Sequence, residues 1–230
     1  MLRLEGLKIV QGDFCLAAEA TVPAGALVAV IGPSGAGKST LLSVIAGFLA
    51  PTAGRELWQD RDLTGLEPGA RPLSIVFQDN NLFPHLTVEQ NVGLGLSPGL
   101  KLSKADRARV ENSLARVGLA GMGGRKPAAL SGGQQSRVAL ARVLLRGRPL
   151  MLLDEPFAAL GPGLKAEMLD LVKELAGLTG ATVLMVTHDP KDALRLGGQT
   201  MLVADGIAAA PVETEALFED PPEVLRDDLD

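Results

Sequence analysis

The sequence predicts an α/β fold: a parallel sheet covered by helices, with a helical segment inserted into it. Three observations carry this. Short apolar runs rich in Val, Ile and Leu recur without alternation, as strands buried on both faces require. Patterns of helical period lie between those runs. The stretch from about Leu86 to Leu145 breaks the alternation, offering helix patterns and no convincing strand. The 230 residues are 47% hydrophobic and 21% charged, so an ordered core of one domain, or of two closely packed subdomains, is expected rather than disorder.

In chain order, Leu27–Ile31 is the first expected strand, and the glycine-rich run Gly32 to Thr40 leads from it into a helix from Lys38 to Leu49. Ser74–Phe77 is the next strand, followed directly by Gln78. Within the helical segment Val110, Leu114 and Val117 mark a helix, while Ser97-Pro98-Gly99 and Gly121–Pro127 read as loops. Leu150–Asp154 is a strand, and Leu164, Met168, Leu171, Val172 and Leu175 form a stripe at helical spacing. Thr182–Thr187 and Met201–Ala204 complete the strands. The tail after Ala210, with Pro211, Pro221-Pro222 and an acidic end, reads as solvated and frayed. The expected division is a sheet core over about 1–85 and 146–215 with a helical subdomain over about 86–145.

Composition excludes some functions. A net charge of -5, 3% aromatics and no Tyr argue against a nucleic-acid partner, which rewards basic surfaces and stacking rings. The single Cys15 reads as a reduced, partly buried thiol. No signal-peptide core opens the chain and no apolar run approaches the ~20 residues that span a bilayer, so any membrane role is expected to come through a partner.

The chemistry lies in two glycine-rich signatures. Gly32-Pro33-Ser34-Gly35-Ala36-Gly37-Lys38-Ser39 sits between a strand and a helix, where glycines let successive N–H groups converge on phosphates and the helix start adds positive partial charge. Lys38 is placed to reach the β and γ phosphates, Ser39 to offer its hydroxyl to Mg²⁺, and Thr40 to donate beside it. Some ninety residues on, Leu130-Ser131-Gly132-Gly133-Gln134 supplies a second set of backbone amides and a hydroxyl. One nucleotide needs one such set, so two sets imply that two copies pair and close each other's sites.

Leu150–Asp154 ends in two carboxylates, and strand ends of a parallel sheet face the ligand crevice. Asp154 suits Mg²⁺, and Glu155 suits the activation of water as general base. Taken alone, Gln78 is an ordinary loop glutamine and His188 a hydrogen-bonded polar residue. Their places just beyond strands point to Mg²⁺ or water for Gln78 and to the γ-phosphate for His188. His85, near Pro84, reads as a surface or interface residue.

Gly32–Thr40, Gln78, Leu130–Gln134, Leu150–Glu155 and His188, in this order, resemble the ATPase subunit of an ATP-binding cassette transporter over essentially the whole chain. The resemblance implies a P-loop NTPase core sheet with an inserted helical subdomain, and ATP and Mg²⁺ as ligands. It also implies a head-to-tail dimer in which Ser131 and Gly133 contact the γ-phosphate held by the opposite subunit. Transmembrane permease subunits would dock near Gln78, against Asp79 to Leu86, at the cytoplasmic face of the membrane, with a periplasmic substrate-binding protein acting indirectly. Two departures stand out: Gly161 occupies the place of the family's usual aspartate, and Phe14 is the only aromatic before Phe48 that could meet the adenine, a contact left open. The stretch Phe77–Leu96 and the segment Gly47-Phe48-Leu49 are similar to the ATPase subunits of bacterial thiamine importers. A related small-molecule importer and a non-transport regulatory ATPase are the alternatives.

Overall fold

A computed structural model describes residues 1–226. The chain opens with β1 (Leu2–Gln11), β2 (Phe14–Val22) and β3 (Leu27–Ile31), then α1 (Lys38–Ala46), β4 (Ala53–Trp58), β5 (Arg61–Asp62) and β6 (Leu73–Val76). Helices α2 (Val88–Gly93), α3 (Lys104–Arg116) and α4 (Gly132–Arg146) follow, with no strand among them. The chain returns to β7 (Leu150–Asp154), α5 (Pro162–Thr179), β8 (Thr182–Val186), α6 (Pro190–Leu196) and β9 (Gln199–Ala204). It closes with β10 (Ile207–Ala208), β11 (Val212–Glu213), α7 (Thr214–Glu219) and α8 (Glu223–Arg226).

The strands lie in the order β5-β4-β1-β2-β10-β9-β3-β8-β7-β6, with β11 on β9. From β9 to β6 the pairing is parallel, Val28 standing between Leu184 and Gln199 and Leu152 between Ile75 and Leu184. These strands are mostly buried, β8 at all five positions. Helices cover them because a parallel sheet must hide both faces. Two apolar layers result. One holds α1 against Leu2, Leu16, Val28 and Leu152. The other packs α3, α4 and α5 against Met151, Leu153 and Met185.

The antiparallel part, β1, β2, β4 and β5, is absent from the expected strands. Its alternation is clear in β2, where Leu16, Ala18, Ala20 and Val22 face inward. In β1 a register shift between Leu4 and Leu7, at Gly6 with φ +56°, breaks the period of two and hides the strand. The same alternation turns Cys15 outward, so its thiol is exposed rather than partly buried. Boundaries move by a few residues elsewhere: Gly47, at φ +85°, ends α1 before Leu49, and β6 stops at Val76. The tail is a larger correction. Val212 pairs with Thr200, the Thr200 and Thr214 hydroxyls lie 2.9 Å apart, and Leu225 is 1% exposed, so much of it packs on the sheet. Residues 227–230, included in the expected frayed tail, lie outside the described residues.

A buried ion pair anchors the far end of α1. Arg71 Nη1 donates to Glu56 Oε2 at 2.7 Å and to the carbonyls of Val44 and Ile45 at 2.9 and 2.8 Å, and Nε donates to Leu66 O at 2.9 Å. Burial pushes the Glu56 carboxyl up to about 7 despite the guanidinium beside it. Among the described residues, no helix is long and apolar enough to cross a membrane.

Candidate active site

The six residues Gly32–Gly37 turn the chain from β3 into α1. Gly32, Gly35 and Gly37 take φ of +146°, +79° and +104°, a region closed to most side chains. Space adds a second constraint at two of them. A Cβ on Gly32 would stand 1.9 Å from the carbonyl oxygen of Val203 in β9, and one on Gly37 would stand 2.5 Å from the Phe14 ring. Lys38, 7% exposed, folds back over the loop and donates from Nζ to the carbonyls of Gly32 and Pro33 at 2.7 and 2.8 Å.

Ser39, on the first turn of α1, donates from Oγ to Asp154 Oδ1 at 2.9 Å. The sheet thereby joins a hydroxyl and a carboxylate far apart in sequence. Burial raises the Asp154 carboxyl above the usual carboxylate range; the Ser39 hydrogen bond opposes this, Glu155 adds to it, and Lys38 opposes it. A hydroxyl beside a carboxylate is a hard-oxygen donor set that fits Mg²⁺, with a phosphate cradle next to it.

Glu155 carries a φ of +43°, an uncommon conformation for a residue with a side chain, and its N–H donates to Val186 O at 3.2 Å. This places its Oε2 at 3.0 Å from Nδ1 of His188, just past β8. An ionised Glu155 can only accept, so in this contact Nδ1 carries the hydrogen. One open cavity of about 550 Å³ is lined by Gly32, Ser34, Gly35, Gly37, Lys38, Ser39, Thr40, Glu155 and His188. It suits a phosphate chain, with a carboxylate and an imidazole at its far wall.

Other expected site residues lie elsewhere. Pro33 and Ala36 belong to the loop without lining the cavity, and Asp154 is joined to it by Ser39. Gln78 is exposed on the turn that follows β6, outside the cavity lining. Ser131, Gly132, Gly133 and Gln134 begin α4 and also stand apart from it. Ser131 Oγ accepts from the N–H of Gln134 at 3.3 Å, while Gln134 Oε1 accepts from the N–H of Ser131 at 3.0 Å. Ser131 and Gly132 remain exposed, and Gly133 is buried with Leu164 so close that a Cβ would meet it at 2.3 Å.

Phe14 is the residue that reading the sequence left undecided. The structure sets its ring against Gly37. The signal was present, since Phe14 shares the parity of Leu16, Ala18 and Ala20 and so the inner face of β2.

Comparison with known proteins agrees with this geometry. The ABC transporter family model matches residues 17–158. The thiamine import ATP-binding protein ThiQ of Cereibacter sphaeroides is 66% identical over 226 residues, spanning 98% of both chains. That of Ruegeria sp. strain TM1040 is 60% identical over the same shares. Among solved structures, the dimeric post-hydrolysis state of the ATP-binding cassette MJ0796 bound to ADP and Pi superposes with a TM-score of 0.79 at 30% identity, covering 93% of this chain and 99% of that one. The likeness holds in sequence and in shape, and the chain belongs to the ABC transporter family.

Proposed function

We propose that this chain is the ATP-hydrolysing subunit of a thiamine importer, working as a head-to-tail pair of copies docked on permease subunits at the cytoplasmic face of the membrane. The observation that carries the ATPase reading is the meeting of the glycine loop, Lys38, the Ser39–Asp154 pair and the Glu155–His188 pair around one cavity. The printed names of the full-length relatives support thiamine as cargo. The substrate never needs to touch this subunit, so that assignment rests on the relatives.

In this reading the amides of Gly32–Gly37 and Lys38 hold the phosphates, with Pro33, Ser34 and Ala36 shaping the loop and Thr40 donating beside Ser39. Ser39 and Asp154, together with Gln78, would hold Mg²⁺, which would supply positive charge to offset that of the phosphates. Glu155 takes a proton from the attacking water, and His188 answers to the γ-phosphate. Ser131, Gly132, Gly133 and Gln134 of the second copy close the site, which accounts for a signature whose Ser131 and Gly132 are exposed and which does not line its own chain's cavity. Residues 86–145 act as a subdomain that carries this signature, and exposed Phe83 and His85 belong to the face offered to the permease.

The test is ATP turnover after reconstitution with the permease and its binding protein, with thiamine supplied or withheld. Stimulation by thiamine-loaded binding protein is expected. Stimulation by another small molecule alone would leave the ATPase standing and overturn the cargo.

A further inference from the structure

The turn that carries His188 is held on both flanks by a half-buried polar cluster centred on Lys165. Lys165 lies in the first turns of α5, with its side chain 15% exposed. Its Nζ stands 2.9 Å from Asp189 Oδ2 and 2.8 Å from Asp192 Oδ2. On the other flank the Thr187 hydroxyl donates to Asp192 at 2.6 Å and accepts from the Asp189 N–H at 3.1 Å. Thr187 is tied in turn to β3, its N–H donating to Val30 O. Asp189 has a second task, capping α6 by accepting from the Lys191 N–H at 2.9 Å. His188 therefore sits between two residues that cannot shift without breaking this cluster.

Lys165 belongs to the segment that follows Glu155. The six residues Pro156 to Gly161 lead from Glu155 to α5, where the Lys165 N–H donates to Gly161 O. A narrow pocket between the two segments is lined by Glu155, Lys165, Thr187, His188 and Asp192. The His188 side chain is itself 62% exposed, so little packing holds the ring. Its 3.0 Å approach to Glu155 depends on the backbone beneath it. Burial works against the Lys165 ammonium, but the hydrogen bonds it donates to Asp192 and Asp189 outweigh it and raise its pKa; burial opposes the change at Asp189, whose carboxyl is nonetheless lowered by accepting from Lys165.

We infer that Lys165 is a positioning residue for ATP hydrolysis: by pairing with Asp189 and Asp192 it locks the His188 turn to the helix that follows Glu155 and so fixes the Glu155–His188 contact. Lys165 does not line the phosphate cavity and touches no reacting group. Its effect runs through geometry, where a displacement of about 1 Å can cost on the order of a hundred-fold in rate. The inference rests on the reading of Glu155 and His188 given above.

A double-mutant cycle on the assembled transporter separates the two. Lys165→Met is expected to lower kcat about ten-fold while KM for ATP stays within about two-fold, because the phosphate loop is untouched. Lys165→Arg, whose fork can reach both carboxylates, is expected to recover most of the rate. In the His188→Ala background, adding Lys165→Met should change kcat by less than about two-fold. Equal losses in both backgrounds overturn the inference and leave the site reading intact. An unchanged kcat in His188→Ala refutes the site reading and the inference with it. If Lys165→Met does not fold, Asp189→Asn serves the same cycle: it keeps the α6 cap and removes the charge, and a loss equal in both backgrounds overturns the inference in the same way.

Discussion

Gly32→Ala offers a sharp test of how the phosphate loop is held. Gly32 stands at φ +146°, and its Cβ would lie 1.9 Å from the carbonyl oxygen of Val203. Neither side can yield cheaply, because Val203 belongs to β9, which pairs with β3 along its length and with β10 and β11 on its other edge. The backbone conformation costs roughly 1–3 kcal/mol, and forcing atoms into occupied space costs roughly 1–3 kcal/mol more. The sum, about 2–6 kcal/mol, is a large share of the ~5–15 kcal/mol that holds a typical domain together. Gly35→Ala is the control: its φ is +79°, but nothing lies within 4 Å of the added carbon, so only about 1–2 kcal/mol of conformational strain is expected. Urea unfolding of the purified chain reads both. The midpoint should fall much further for Gly32→Ala, or the variant should fail to fold. Equal midpoints would refute the claim that β9 walls the loop.

Ser131→Ala removes the cap of α4 and should cost about 1 kcal/mol in unfolding, yet abolish most ATP turnover in the assembled transporter; a turnover loss no larger than the stability loss would contradict its role across the dimer. The Glu56 carboxyl, raised to about 7, binds its proton more tightly folded than unfolded. Its contribution to stability is therefore present below its ordinary value and lost as pH rises through about 7. Urea midpoints of wild type and Glu56→Gln should converge or cross over that window, and parallel curves would contradict the shift. Gly161 caps α5 without a side chain and has open space around it, so Gly161→Asp should stabilise the chain by a few tenths of a kcal/mol. If the family's aspartate at this place links the two sites of the dimer, Gly161→Asp should also raise the Hill coefficient for ATP in the transporter, and an unchanged coefficient would contradict that link.

The parallel strands were legible because burial on both faces writes continuous apolar runs, as in Thr182–Val186. Of the antiparallel strands, β1 was not, because Gly6 shifts the register between Leu4 and Leu7 and erases the period that would reveal it, whereas the alternation of β2 was there to be read. The tail misled for a related reason: Glu213, Glu215, Glu219, Asp220 and Glu223 are exposed while Thr214 and Leu225 are buried, and one buried side chain per short element makes no pattern. The glycine loop and the strand ends that carry Asp154, Glu155 and His188 could be located from spacing, because each follows a short apolar run directly. The cluster of Lys165, Thr187, Asp189 and Asp192 could not, because its members come from α5, the turn after β8 and α6 and meet only once the chain is folded.

The most direct measurement is ATP turnover and oligomeric state of Glu155→Gln beside wild type, with ATP and Mg²⁺ present. The account predicts that turnover is almost lost and that the variant accumulates as a nucleotide-bound dimer, since Gln keeps the shape of Glu155 without a base to take the proton. Turnover equal to wild type, or a monomer that binds ATP without pairing, would contradict a site completed by two copies and driven by Glu155.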